Sequence, residues 1–189
     1  TTHVKVLPGV STGSAMIAVD DAAENCIIVS PGANGRLSAE DVSSADAFFD
    51  TADSSSVLTL CLEVSLEAVK AAAREAHERG ATVVLNVSPY AKVGADLLDL
   101  VDVLVVNAHE LADLTGQPDF DPLGDWSGVV QATRAAMGES GPTIAVVTLG
   151  ANGARTLDLE AGTASAQIPS PKIKPVDTTG SGDAFLASL

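Results

Sequence analysis

Apolar residues in most of this chain occur in short runs that alternate with longer segments in which they recur every three or four positions. The first pattern predicts buried strands and the second predicts amphipathic helices. Strands are predicted at residues 57–62, 82–87, 103–106 and 144–148, and helices at 39–49, 65–79, 95–100, 109–115 and 129–137. Regular alternation of this kind predicts an α/β fold with a doubly wound, Rossmann-like parallel sheet and right-handed crossovers.

Capping and turn residues support several of these boundaries. Ser38 and Asp41, three positions apart, are a predicted capping pair at the start of the helix at 39–49. Gly116 follows a predicted helix, where a glycine commonly ends one. Beyond residue 150, a hairpin is predicted from strands at 154–158 and 164–168.

The first thirty residues follow a different pattern, in which short apolar runs are separated by turn-forming residues. Strands are predicted at residues 3–7, 14–19 and 26–30. Consecutive strands without a helix predict a small antiparallel sheet. We therefore divide the chain into a partial β-sheet lid at 1–32 and an α/β domain at 33–189, with the hinge at 31–35.

Composition and charge exclude several classes of function. Hydrophobic residues make up 46% of the 189 residues, and the net charge of −15 opposes binding to nucleic acid or to an anionic membrane. A small anion could still bind to backbone N–H groups at the start of a helix. Cys26 and Cys61 lie in apolar runs and are predicted to be buried thiols. The sequence shows no signal peptide or long apolar span, so a cytoplasmic location is expected.

The segment at residues 177–183, Asp-Thr-Thr-Gly-Ser-Gly-Asp, carries the strongest candidate chemistry. Gly180, Ser181 and Gly182 at a helix start would leave backbone N–H groups open to an oxyanion. Asp183 would repel a static phosphate, so a general base that accepts a proton from an attacking hydroxyl explains it better. The alternative is an ordinary helix start with an acid in its first turn.

Two further segments follow predicted strands, where ligands of doubly wound sheets bind. Asn107 and Glu110 would share one face of a helix start, where Glu110 could hold a hydrated Mg²⁺. A capping box explains the same pair. The segment at 148–153, Thr-Leu-Gly-Ala-Asn-Gly, would let a nucleotide phosphate approach closely, or would simply turn the chain into the hairpin.

In this order, the motifs resemble those of the ribokinase-like sugar kinases, also called PfkB carbohydrate kinases. Residues 177–183 are similar to that family's D-T-x-G-A-G-D signature, and Asn107-x-x-Glu110 is similar to its N-x-x-E magnesium motif. Thr148-Leu-Gly150 resembles its nucleotide-binding strand end. The resemblance extends over essentially the whole chain and implies ATP-dependent phosphorylation of a sugar hydroxyl.

The resemblance also implies roles for individual residues. Asp183 would be the catalytic base and would also contact the sugar. An anion hole would be formed by Gly180, Ser181 and Gly182. The nucleotide group would comprise Asn86, Asn107, Thr148, Gly150, Asn152 and Gly153. Mg²⁺ would be held by Glu110, and a monovalent cation, K⁺, by Asp177 and Thr179. Glu63 resembles a sugar-contacting glutamate of the family, although a solvated residue at a strand end is the alternative.

The lid residues suggest which sugar is the acceptor and how two copies of the chain assemble. Residues 9–13 and 32–35 resemble the lid and hinge of the family's ribose kinases, which favours D-ribose as the acceptor and ribose 5-phosphate as the product. Fructose and adenosine or another nucleoside are alternatives, because kinases for these acceptors share the active-site signatures. The lid strands carry more apolar surface than a small sheet can hide, which predicts a homodimer through the lid.

Two other functions are alternatives to the sugar kinase. An oxidoreductase fits worse, because no G-x-G-x-x-G follows the first strand of a βαβ unit. Family members also carry an earlier segment with sugar contacts and helices beyond the second signature, which have no counterpart in these residues. The chain alone is therefore expected to be inactive, and a catalytically incomplete binding module is a third possibility.

Overall fold

The computed structural model describes residues 4–20, 25–117, 121 and 123–189. Most of the segment between the strands predicted at 14–19 and 26–30, and part of the segment between the helices predicted at 109–115 and 129–137, lie outside these residues. The strands are β1 (Ser14–Val19), β2 (Asn25–Ser30), β3 (Val57–Leu60), β4 (Thr82–Asn86), β5 (Val103–Asn107), β6 (Ile144–Thr148), β7 (Ala154–Asp158) and β8 (Thr163–Ala164). The α-helices are α1 (Ala39–Ser43), α2 (Asp46–Phe49), α3 (Leu66–Glu78), α4 (Ala95–Leu98), α5 (Ala108–Thr115), α6 (Ser127–Met137) and α7 (Ser181–Leu186).

Strands β3 to β8 form one sheet in sequential order. Strands β3 to β6 are parallel, whereas β7 and β8 continue the sheet antiparallel to their neighbours. The parallel strands are rich in valine and leucine, as expected for strands that are covered on both faces. One face packs against α3 to α6, and its core residues include Val83, Leu85, Leu104, Val106 and Val147.

The opposite face of the sheet carries Val84, Val105 and Val146, on which Phe185 and Leu186 of α7 pack. These valines alternate along their strands with the residues of the main core, because successive side chains of a strand point to opposite faces. Helices therefore contact both faces, which confirms the predicted α/β fold with its doubly wound, Rossmann-like sheet.

The lid sheet has two described strands instead of the predicted three. β1 pairs antiparallel with β2 over their full lengths. Residues 4–7 are not in a strand, and His3 lies outside the described residues. The Lys5 ammonium binds the Asp41 carboxylate of α1, so this segment is tied to the α/β domain and not paired with β1.

The prediction of two buried thiols is wrong. Cys26 is exposed and Cys61 is half-buried, and both are free thiols. Cys26 lies in β2, and a lone two-stranded sheet has no second layer to bury its residues. The apolar residues on either side of each cysteine in the sequence therefore do not make its side chain buried.

The predicted hinge at 31–35 joins the lid to the domain through a close backbone approach. Gly32 has a φ of +49°, and a Cβ at this position would lie 2.5 Å from the Ser11 carbonyl oxygen. The Ala33 N–H donates to that same oxygen at 2.9 Å. A short 3-10 helix at Asn34–Arg36 follows. Glycine is required at position 32, because a side chain would push the two segments apart.

The helices follow the predicted caps more closely than the predicted lengths. The Ser38 side chain accepts from the Asp41 N–H and the Asp41 carboxylate accepts from the Ser38 N–H, which confirms the capping pair. The helix predicted at 39–49 is instead two short helices, since α1 ends at the serine pair before Ala45 and serine is a weak helix former. Within the described ranges, no helix is long and apolar enough to cross a membrane.

The predicted hairpin is present, but its second strand is shorter than the predicted 164–168. β8 stops at Ala164, and the next hydroxyl, that of Ser165, accepts the Thr156 N–H in place of a main-chain carbonyl. A single bridge between Ala154 and Ile168 holds the following segment against β7.

Candidate active site

Three polar residues predicted for the nucleotide site end neighbouring strands on one face of the sheet. Asn86, Asn107 and Thr148 are the last residues of β4, β5 and β6. Asn107 pairs with Thr148, and Asn86 pairs with Val105, which shares a face with Asn107. Val105 also contributes to the surface on which α7 packs. The register therefore gathers the three polar residues at the carboxyl edge of the face that α7 covers.

Asn107 and Glu110 form a complete capping box at the start of α5. The Asn107 side-chain oxygen accepts from the Glu110 N–H at 2.9 Å, and Glu110 Oε2 accepts from the Asn107 N–H at 2.7 Å. The structural explanation of this pair is therefore correct. It does not exclude a second role, because a carboxylate that accepts one N–H bond still has lone pairs for a cation.

Burial gives the Glu110 carboxylate a distinct electrostatic character. Its residue is only 7% exposed. Desolvation raises its pKa, while hydrogen bonding by the Asn107 amide and the Ser88 hydroxyl opposes the rise. A nearby cation would stabilise the charged form. The described residues contain no group of three or more His, Cys, Asp or Glu side chains suited to a metal.

The turn after β6 has the tight backbone that its glycines predicted. Gly150 and Gly153 have φ values of +56° and +89°, and Leu149 N–H donates to the Gly153 carbonyl at 2.7 Å. The Asn152 carbonyl accepts from the Gln167 side chain at 2.5 Å. These bonds account for the turn into β7, and they leave the exposed Gly150 beside the end of β6.

Asp177 and Thr179, the pair predicted to bind a monovalent cation, are bonded to each other. The Thr179 N–H donates to Asp177 Oδ1 at 2.8 Å. Hydrogen bonds from the Thr179 side chain and amide lower the pKa of the Asp177 carboxyl, which is therefore held in its charged form. A fixed, exposed carboxylate is chemically suited to a cation.

The loop before α7 turns at Gly180, which has a φ of +75°. The Ser181 N–H donates to the Thr178 carbonyl at 3.1 Å, so this amide is engaged within the loop. Among the described residues, no acceptor is bonded to the N–H groups of Gly180 and Gly182. Of the three predicted anion-hole amides, two are therefore available as the loop stands.

Asp183 differs from the other acids at the same position of a helix. Asp41, Glu110 and Asp183 are each the third residue of their helices. The first two carboxylates accept the N–H of their capping residue, whereas α7 has no side-chain capping bond. Asp183 is also exposed. Within the described part of the chain, a capping bond therefore does not explain this carboxylate.

Glu63, the candidate sugar contact, follows β3 at the same edge of the sheet. Its side chain is exposed. The preceding residue is fixed, because the Leu62 N–H donates to the Ser88 carbonyl at 2.9 Å. This bond joins the segments that follow β3 and β4, so the Glu63 backbone has a defined place at the carboxyl edge.

The whole chain, residues 1–189, matches the model of the pfkB family carbohydrate kinases. The chain belongs to the PfkB family of carbohydrate kinases. It is 35% identical over 187 residues to a ribokinase of Schizosaccharomyces pombe, covering 99% of this chain and 57% of the relative. It is 32% identical to a deoxyribokinase of Salmonella typhi, covering 98% of this chain and 58% of the relative. The chain thus spans somewhat more than half the length of these relatives.

A solved PfkB-type structure is similar as well. The ribokinase of Arabidopsis thaliana, complexed with ribose and ATP, matches with a TM-score of 0.71 and 26% sequence identity. The match covers 95% of this chain and 55% of the Arabidopsis chain. The similarity supports the assignment of this fold to the family's architecture.

One polar residue of this PfkB site was missed by sequence reasoning. Ser88 bonds through its carbonyl to Leu62 and through its hydroxyl affects the pKa of Glu110. The available signal was its position just beyond a strand end, next to Asn86. The bond to Leu62 joins two segments that are far apart in the sequence, and a single sequence does not reveal such a contact.

Proposed function

We propose that the protein is an ATP-dependent sugar kinase that transfers the γ-phosphoryl group of ATP to D-ribose, giving ribose 5-phosphate. Family membership supports the reaction class. The ribokinase relative and the Arabidopsis ribokinase complexed with ribose and ATP support the substrates. The single observation that supports this chemistry most strongly concerns Asp183. Its carboxylate is exposed at a helix start and lacks the capping bond that Asp41 and Glu110 make at the same helical position.

In this proposal, Asp183 accepts the proton of the attacking sugar hydroxyl as the sugar oxygen bonds to the γ-phosphorus of ATP. The bond from the γ-phosphorus to the β–γ bridging oxygen breaks in the same step, and ADP is the leaving group. The amides of Gly180 and Gly182 donate to the phosphoryl oxygens on which negative charge develops. The Ser181 amide would join them only if its bond to Thr178 opened. Positioning and charge stabilisation, more than covalent chemistry, supply most of the rate of such transfers.

The proposed nucleotide site lies along the carboxyl edge, with Asn86, Asn107, Thr148 and the turn at 150–153 beside the phosphates. Glu110 would hold Mg²⁺, which when bound neutralises phosphate charge. The buried carboxylate fits such an ion, because it offers the oxygen ligands that Mg²⁺ prefers. A nearby positive charge would also stabilise its charged form, which burial disfavours. The fixed carboxylate of Asp177, with the backbone of Thr179, would hold K⁺.

The acceptor is tested by sugar-dependent ADP release from the complete protein. Ribose, fructose and adenosine are compared at equal concentrations, since the deoxyribokinase relative shows that sequence similarity alone does not fix the acceptor. We expect the highest kcat/KM with ribose. Higher kcat/KM with fructose or adenosine would reassign the substrate, and no acceptor-dependent release with any of them would contradict the kinase.

Glu110→Gln separates the two roles of Glu110. Glutamine serves as well as glutamate in a capping box and carries no buried charge, so the melting temperature should be unchanged or higher. The Mg²⁺ concentration for half-maximal activity should rise by about tenfold or more, because a neutral amide is a poor ligand for a hard cation. Thermal melting and Mg²⁺ titration measure the two effects. A variant with normal Mg²⁺ dependence would leave Glu110 as a cap alone.

The lid is proposed to form a homodimer through the face that carries Met16 and Ile28. These residues pair across β1 and β2 and are 71% and 66% exposed. Ile28→Lys should convert a dimer into a monomer in light scattering at micromolar concentration, because a charge would enter the apolar contact. Leu123→Lys, at another exposed apolar position, should remain dimeric. A wild-type monomer would contradict the proposal.

A further inference from the structure

Hydrogen bonds fix the chain on both sides of Glu63. Before it, the Leu62 N–H donates to the Ser88 carbonyl at 2.9 Å, which joins this segment to the main sheet. After it, the Ser65 hydroxyl donates to the Leu37 carbonyl. Leu37 ends the 3-10 helix of the lid base, which we define as residues 31–37. The segment that carries Glu63 is therefore bonded both to the sheet and to the lid base.

The Ser65 hydroxyl makes two bonds with different requirements. It accepts the Ala68 N–H at 3.2 Å, which is the N-cap bond of α3, and it donates its single hydrogen to Leu37. An aspartate could make the first bond. The second bond needs a donor, which serine and threonine have and an ionised aspartate lacks. Capping of α3 therefore explains only one of the two bonds.

A cavity beside the bond between Ser65 and Leu37 separates other parts of the two segments. Its volume is about 190 Å³. Side chains that face a void have few partner atoms there, so packing alone holds these segments together weakly. A directed hydrogen bond at such a place contributes more to their relative position. The cavity is lined on the lid base by Ala33, Asn34, Arg36 and Leu37, and after Glu63 by Val64.

The other end of the bond is firmly held. Helix α3, which Ser65 caps, buries Val69, Ala73 and Ala76 in the main core. The lid sheet has no second layer among the described residues, and the chain leaves it through the lid base. The hydroxyl of Ser65 therefore bonds the lid base to a rigid element two residues after Glu63.

We propose that Ser65 is a positioning residue for sugar binding, whose hydroxyl holds the lid base at a fixed place relative to Glu63. The inference rests on the proposed sugar kinase, in which Glu63 contacts a sugar that the lid covers. A sugar that contacts both groups binds well only when their separation is correct, and misplacing a positioning group can cost up to about 100-fold. Loss of the bond should weaken sugar binding and leave the nucleotide side unchanged.

Three substitutions of Ser65 separate this bond from the helix cap. Ser65→Asp keeps the cap and removes the donor, Ser65→Ala removes both, and Ser65→Thr keeps both. In the complete protein, D-ribose binding measured by isothermal titration calorimetry should weaken about tenfold in the first two variants and change less than about twofold in the third. The KM for ribose should rise in parallel and the KM for ATP should stay the same. Ser65→Ala should also melt at a lower temperature, because its cap is lost.

Glu63→Gln shows whether Ser65 acts through Glu63. This variant alone should weaken ribose binding, because a neutral amide accepts hydrogen bonds from sugar hydroxyls less strongly than a carboxylate does. If Ser65 acts by placing Glu63 against the lid, the losses of binding free energy in Glu63→Gln and Ser65→Ala should add to less than their sum in the double variant. Fully additive losses would overturn the inference, because the two residues would then act independently.

The remaining results separate this inference from the proposed function. Normal ribose binding in Ser65→Asp and Ser65→Ala, with weakened binding in Glu63→Gln, would overturn the role of Ser65 and leave the sugar site intact. Weak binding in only one of the two Ser65 variants would also overturn it, because the lost cap or the added charge would then be responsible. Weak binding in Ser65→Thr would overturn it as an effect of packing. No ribose binding by the wild type would contradict the proposed function itself.

Discussion

Replacing Asp183 with asparagine is expected to lower kcat by about 10²–10⁴-fold, the usual contribution of a general base. Asparagine has nearly the same size, so the helix start and the contacts of Phe185 and Leu186 should persist. It cannot accept the hydroxyl proton as a carboxylate does. Nucleotide affinity should be unchanged or higher, because a negative charge beside the γ-phosphate is removed.

Asp41→Asn is the matched control for this substitution. Asp41 occupies the same helical position, but its carboxylate binds Lys5 and Ser38, which lower its pKa to about 2. Losing these bonds should cost some thermal stability and leave kcat nearly unchanged. Steady-state kinetics and thermal melting of both variants measure the contrast. An Asp183→Asn variant that resembles Asp41→Asn, less stable but fully active, would identify Asp183 as a structural residue.

Gly153→Ala is expected to destabilise the folded chain by more than about 3 kcal/mol. Gly153 has a φ of +89°, and a Cβ there would lie 1.8 Å from the Ile168 carbonyl oxygen. That oxygen cannot move freely, because it accepts the Ala154 N–H at 2.9 Å. Relieving the clash would break the bridge to the segment leading to α7 and loosen the turn beside Thr148.

Gly162→Ala measures the part of this loss of stability that is due to the left-handed backbone conformation alone. Gly162 has a φ of +69° with no atom within 4 Å of an added Cβ, so only the left-handed conformation is penalised. That penalty is about 1–2 kcal/mol. Urea unfolding of both variants gives the difference. Equal losses of stability would show that the close approach at Gly153 contributes nothing beyond its φ.

Local chemistry in the sequence was sufficient for several parts of the site. The capping pairs Ser38–Asp41 and Asn107–Glu110 depend on residues three positions apart, and both are present. The end of β6 was also predictable, because its apolar run stops at the polar residue Thr148. The ends of β3, β4 and β5 lie one or two residues from the predicted positions. These features require only neighbouring residues, so a single sequence contains the information.

Features that depend on contacts between distant segments were not predictable. The pairing of Asn107 with Thr148 follows from the register of the sheet, and the bond between Leu62 and Ser88 joins the segments after β3 and β4. Residues 4–7 have the composition of a strand, yet Lys5 binds Asp41 across the molecule and the segment is not in a strand. Tertiary contacts override local propensity in such short segments.

The central claim is that Asp183 deprotonates a sugar hydroxyl that then takes the γ-phosphoryl group of ATP. Phosphorus NMR of the complete protein with ATP, Mg²⁺ and D-ribose measures this transfer most directly, because it detects ADP and the sugar phosphate together. We expect equal amounts of both products from the wild-type protein, and formation about 10²–10⁴-fold slower from Asp183→Asn. Sugar phosphate formed by Asp183→Asn at the wild-type rate, or ADP formed without sugar phosphate by the wild type, would contradict the claim.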